Sequence, residues 1–201
     1  MSVIDIEVTL LRGAHTLRMS ILFIGYREGL DPAAMRLDLL NLLPQRTRLK
    51  GVWRKAMTAK RILVPLDGSE SAETAAVLAA TLARSGGGSV RLLRVSPVPK
   101  QWVGDYGRVV VYADQEMERL TAEGRHYLET VGAQLPAVPI ESVVRFGKPA
   151  EEILAEAEAF GADAIVLATG GPSWFKRVTG GGISQSILRK APVPVVLVRA
   201  A

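Results

Sequence analysis

The glycines after Ala168 are the first place where chemistry can be read from this chain. Ala168-Thr-Gly-Gly171 is followed, after a short interval, by Thr179-Gly-Gly-Gly-Ile-Ser-Gln-Ser186. The apolar run Ala164–Ala168 leads into this segment and a helical pattern, Ile183–Lys190, leads out of it. Glycines between a strand and a helix expose backbone N–H groups, and the helix N-terminus adds about half a positive charge. Such a loop suits an anion, above all a phosphate. Ser184, Lys176 and Arg177 offer further donors to it, although the two cations also fit a solvated loop.

A second candidate is Asp67, in Asp67-Gly-Ser-Glu70. Its carboxylate suits a base or a sugar hydroxyl, but Asp before an Ala-rich helix also suits an N-cap. Spacing alone leaves both roles open.

The elements that must position these groups alternate. From Lys60 the expected order is strand 61–66, helix 69–84, strand 90–95, a long loop 97–110 and helix 112–135. Strand 140–146, helix 149–160 with Pro149 at its first position, strand 163–168, helix 182–190 and strand 193–199 follow. Strands and helices in this alternation give an α/β fold, a five-stranded parallel doubly wound sheet with helices on both faces. Ligands of such sheets sit beyond the carboxyl ends of the strands, where the strand order reverses. With the first strand central and the fourth beside it, Asp67 and the glycine loop meet there. The last strand, Val193–Arg199, carries Pro194 near its start and is apolar almost throughout. An open edge of that kind is sticky, so it is expected to pair with a second copy of the chain as a homodimer.

Residues 1–58 read differently. Val3–Leu11 and Leu17–Tyr26 suggest two strands, and Asp31–Leu43 a helix ended by Pro44. One hairpin and one helix bury too little surface to stand alone, so they either pack on the remainder or stay partly disordered. Met57 resembles the start of a compact α/β protein. The expectation is an N-terminal extension or a mis-assigned start, with Met57 the native start, followed by the main domain, 59–201.

Composition narrows the function. The net charge of +5 is concentrated early, with nine Lys/Arg against five Asp/Glu in residues 1–56 and sixteen against fifteen in 57–201. No basic stripe with interleaved aromatics accompanies it, which argues against nucleic acid. There is no cysteine, and His15 and His126 lack ligand-spaced partners, which argues against a metal site. The longest early apolar run, Ile21–Ile24, is far too short to cross a membrane, and a cytoplasmic protein is the default expectation. Neither a phosphate loop of the Gly-x4-Gly-Lys type nor a Ser–His–carboxylate triad is evident, and Glu151 and Glu152 read as dipole partners of a helix N-terminus.

Four segments together resemble the universal stress protein (UspA-like) family, of the adenine nucleotide alpha-hydrolase-like fold. They are Arg61–Glu70, Gly147–Leu154, Gly161–Val166 and Ala191–Val198, in order and spacing across residues 60–199. The resemblance implies strand order 3-2-1-4-5, a dimer through the last strand and, in one branch, ATP, with Mg²⁺, at the switch point. In that branch the positions matching Asp67 and Val95 hold the adenosine part. Those matching Gly171, Gly181, Gly182 and Ser184 surround the phosphates, and Pro65, Ala168 and Ile183 complete the set. The same branch carries Gly-x2-Gly-x9-Gly-Ser/Thr, whereas this chain has Ala168 at the first glycine and Gly182 at the hydroxyl. Two readings follow: a nucleotide-binding sensor with little or no turnover, or a family member that has lost the nucleotide and works through protein contacts. An ATP hydrolase is the weaker third, since only Asp67 stands out as an acid.

Overall fold

The computed structural model describes residues 3–12, 15–24, 58–99, 102–103, 109–111, 113–135, 137–168 and 183–200, the first two stretches and 102–111 as backbone only. Its strands are β1 (Val3–Arg12), β2 (His15–Ile24), β3 (Arg61–Pro65), β4 (Ser89–Ser96), β5 (Trp102–Val103), β6 (Val109–Val111), β7 (Ile140–Phe146), β8 (Ala164–Ala168) and β9 (Val195–Ala200). The helices are α1 (Glu70–Gly86), α2 (Ala113–Ala133), α3 (Pro149–Phe160) and α4 (Ile183–Lys190).

Five strands form the expected parallel sheet, in the order β7-β4-β3-β8-β9, which is 3-2-1-4-5 when these five are numbered along the chain. Each face carries its own core. On one, Ile62, Val64, Val90, Leu92 and Val166 pack against the alanines of α1 and Leu128 and Val131 of α2. On the other, Leu63, Leu93, Val95, Ile165 and Leu167 pack against Ile153, Ala157 and Phe160 of α3 and Ile187 of α4. Small side chains explain how α1 lies so close to the sheet: Ala72, Ala75, Ala76, Ala79, Ala80 and Ala83 are all buried. Runs that are apolar at nearly every position are what a sheet covered on both faces requires.

Two expectations change and one open alternative closes. The segment 97–110 was expected to be a loop throughout; within it β5 and β6 pair antiparallel, Trp102 opposite Val111. The N-cap of α1 is not Asp67 but Ser69, whose Oγ accepts from the Ala72 N–H at 3.3 Å. The third concerns Val193–Arg199. Its outer edge, expected to meet a second copy, is occupied by β1, which pairs antiparallel with β9 from Ile6↔Ala200 to Leu11↔Val195. β1 also pairs with β2 along the whole hairpin, so the sheet has seven strands. The physical reason is the same unpaired edge; the chain satisfies it with its own N-terminal segment. The expected helix 31–43 lies outside the described residues.

Candidate functional site

The site begins where two neighbouring strands part. The ladder between β3 and β8 ends at Leu63↔Ile165, while β3 continues beside β4 to Pro65↔Leu93. Pro65 has no N–H to donate and sits two residues past the end of the β8 ladder, so no bond across to β8 is forfeited. From this point the chain runs outward in opposite directions, through β4 to β7 on one side and through β8 to β9 on the other. In open α/β sheets such a reversal, here beyond the carboxyl ends of β3 and β8, is where a ligand crevice lies.

The 66–69 loop forms one wall. The Leu66 N–H donates to the Leu93 carbonyl at 2.8 Å, holding the loop to β4. Asp67, half-buried, accepts through Oδ1 from the Ser69 N–H at 3.0 Å and from the Ser69 hydroxyl at 2.5 Å. The same hydroxyl oxygen caps α1, so Asp67 fixes the cap rather than being it. Its second oxygen, Oδ2, has no hydrogen bond among the described residues. Oδ1 therefore has a structural role, holding the Ser69 cap in place.

Of the remaining predicted residues, Pro65 and Val95 are buried at the ends of β3 and β4, and Ala168 is half-buried at the end of β8. Ile183 is buried as the first residue of α4, and Ser184, half-buried, follows it in the first turn. These residues lie on strand ends and on the helix that leads back from β8. Gly171, Gly181 and Gly182, with Lys176 and Arg177, lie outside the described residues.

Three groups beside this wall escaped the sequence reading. Arg94 on β4 donates through Nη1 to the Leu66 carbonyl at 3.3 Å, and its guanidinium lies 5.6 Å from the ring centroid of Tyr127. The Tyr127 hydroxyl in turn donates to Oε1 of Glu73 at 3.3 Å. A cation among the apolar residues Leu92-Leu-Arg-Val95 was the available signal, since its partial burial calls for a partner. Partial burial, reinforced by the Glu73 charge, pushes the Tyr127 phenol up to about 12. The unfolded phenol ionises near about 10. The folded state therefore keeps a proton that the unfolded state loses, and the contact stabilises fully below the unfolded value. That stability is lost as pH rises through the folded value. An absorbance titration of phenolate is expected to show a late step near pH 12 that disappears in Tyr127→Phe; persistence of the step would assign it to another tyrosine.

At the opposite end of the sheet a shallow depression is lined by Lys60, Gly88, Ser89 and Asp163 among others. Its acid is already engaged, since Asp163 Oδ2 accepts from the backbone N–H groups of Lys60 at 3.0 Å and Arg61 at 3.1 Å. It clamps the start of β3 and adds nothing to the crevice. Among the described residues no group of His, Asp or Glu side chains is arranged to hold a metal ion, and no helix is long and apolar enough to cross a membrane.

Residues 58–199 match the universal stress protein family. The chain belongs to that family. A universal stress protein of Thermus aquaticus is 33% identical over 142 residues, covering 70% of this chain and 98% of the relative. Universal stress protein MJ0577 of Methanocaldococcus jannaschii is 27% identical over 153 residues, covering 70% of this chain and 94% of its own. The solved structure of hypothetical protein MJ0577 superposes with a TM-score of 0.56 at 26% identity, over 70% of this chain and 95% of that one. All three likenesses cover about seven-tenths of this chain, the same share as the family match at 58–199.

Proposed function

We propose that this universal stress protein binds an adenine nucleotide in the crevice between β3 and β8 and acts as a sensor, with little or no turnover. The observation that carries the reading is Asp67. Its Oδ1 is fixed by two hydrogen bonds to Ser69 in the loop that follows β3, and its Oδ2 has no partner among the described residues. A carboxylate held this way recognises paired donors, such as vicinal ribose hydroxyls or an exocyclic amine, at little entropic cost. Val95, at the end of β4, is the position that lines the base pocket in the nucleotide-binding branch this chain resembles, its own side chain being packed into the core. The N-terminus of α4 favours phosphate, and Ser184 in its first turn adds a hydroxyl. Gly171, Gly181 and Gly182 belong to the phosphate-facing loop in this reading, and ATP with Mg²⁺ is its preferred ligand.

The departures at Ala168 and Gly182 set the expected strength. A lost hydroxyl–phosphate bond costs about 1 kcal/mol, or more when the acceptor is charged. Binding is therefore expected to be weaker than a full complement of loop donors would give, yet still measurable. Calorimetric titration of the full chain with ATP and Mg²⁺ is the test. Saturable binding is expected below millimolar ATP, weakened severalfold or more by Asp67→Ala. An absence of binding at millimolar ATP would favour the second reading, a nucleotide-free member acting through protein contacts.

A further inference from the structure

An edge strand exposes a row of unpaired N–H and C=O groups and will pair with whatever strand is offered. β9 is such a strand in the five-stranded sheet: its inner side pairs with β8 from Ile165↔Val195 to Ala168↔Val198. Its outer side carries β1, antiparallel and in unbroken register over six residues, Val195 to Ala200. β1 lies outside the family match at 58–199, so this cover is an addition to the shared fold. Every residue of β9 is engaged by it, which leaves no length of that edge open to a second strand.

We propose that the 3–24 hairpin is an intramolecular cover for the β9 edge that excludes a second copy of this chain from it. The competition can be sized. A segment carried on the same chain as its site meets it at an effective concentration that reaches the millimolar range. A second copy at micromolar concentration is about a thousandfold more dilute, so equal ladders are decided for the tethered strand. Pairing of β9 across two copies then requires the hairpin to leave first. The assembly state of the protein is thereby tied to whatever displaces or removes residues 3–24. The inference is independent of the nucleotide site, and a failed ATP titration would leave it standing.

The absence of cysteine makes a clean test possible. Two double variants of the full chain, V8C/V198C and T9C/L197C, place cysteines at successive Cα partners of β1 and β9. Successive antiparallel pairs alternate between about 5.5 and 4.5 Å between Cα atoms, both within disulfide range. On mild oxidation at micromolar protein, at least one pair is expected to close within a single chain. The product would run as a monomer with altered mobility on a non-reducing gel. Predominant disulfide-linked dimers, or no linkage at either pair, would overturn the proposal. In a second arm, Val8→Pro removes a ladder N–H in mid-strand. Sedimentation velocity is expected to show a species of twice the mass of the unsubstituted chain; a Val8→Pro protein that remains folded and monomeric contradicts the exclusion. If Val8→Pro does not fold, the crosslinks decide alone.

Discussion

Glu156→Ala is expected to destabilise the fold by about 3 kcal/mol, a fall of roughly 6–12 °C in Tm for a chain of this size. Glu156 lies on α3 with its side chain only 3% exposed. One carboxylate oxygen accepts from Arg91 Nη1 at 2.6 Å and the other from Arg145 Nε at 2.5 Å. Arg91 comes from β4 and Arg145 from β7, so a single acid ties the helix to two adjacent strands. Truncating it leaves two half-buried guanidinium groups short of a counter-charge, and that desolvation penalty supplies most of the loss. The loss stops short of the largest values known for broken buried pairs, because each arginine keeps another partner. Arg91 still bonds Glu141 and lies 4.0 Å from the centroid of the Phe160 ring. Arg145 still bonds Glu152 at 3.0 Å. The control is Glu141→Ala: that side chain is 51% exposed and its loss is expected to cost less than about 1 kcal/mol. The two variants differ in salt response as well, since an exposed pair is screened and a buried one much less. Urea melts with and without added salt test both points. Equal midpoints for Glu156→Ala and Glu141→Ala would show that the buried carboxylate is not what holds α3 to the sheet.

How far this network was legible from residues alone is instructive. β7 (Ile140–Phe146) and α3 (Pro149–Phe160) were readable to the residue because Pro149 and Gly161 punctuate the helix. Yet Glu156, three residues after Ile153 and four before Phe160, lies on the apolar face of that helix. An acid there signals a buried partner, but the partners are 65 and 11 residues away, beyond any local pattern. The N-cap of α1 stayed open for another reason. Asp67 and Ser69 are both good caps two residues apart, and only the position of the first helical turn separates them. β5 and β6, at two and three residues, are too short for any periodicity. The occupant of the β9 edge depends on a competition between a tethered strand and a second chain. The pattern of Val193–Arg199 announced a sticky edge without saying which partner would win it. The switch point was legible because the family resemblance implied the strand order that the sheet shows, whereas Arg94, Tyr127 and Glu73 come together only through packing.

Gly88→Ala is the other substitution expected to act strongly, by about 3 kcal/mol or more, and for a reason unrelated to charge. Gly88 joins the end of α1 to the start of β4, and a Cβ built there would lie 2.2 Å from the Lys60 carbonyl oxygen and 2.6 Å from its Cα. Both obstacles are backbone, so no side-chain rotation relieves them. The segment is also pinned: the Gly88 N–H donates to Ala83 O at 2.8 Å and the Ser89 N–H to Lys60 O at 2.6 Å. Moving away breaks the bond at which β4 enters register with β3, Arg61 opposite Ser89. Overpacking usually costs about 1–3 kcal/mol because neighbours can shift; here the neighbour is the backbone leading into the central strand. The adjacent glycine separates this mechanism from backbone conformation. Gly87 has φ +64 and nothing within 4 Å of its would-be Cβ, so Gly87→Ala meets only the left-handed penalty of about 1–2 kcal/mol. Urea denaturation of the two variants is expected to place Gly88→Ala well below Gly87→Ala. The reverse order would mean that Lys60 yields, and that the close approach of α1 to the start of β3 is not fixed by the missing side chain.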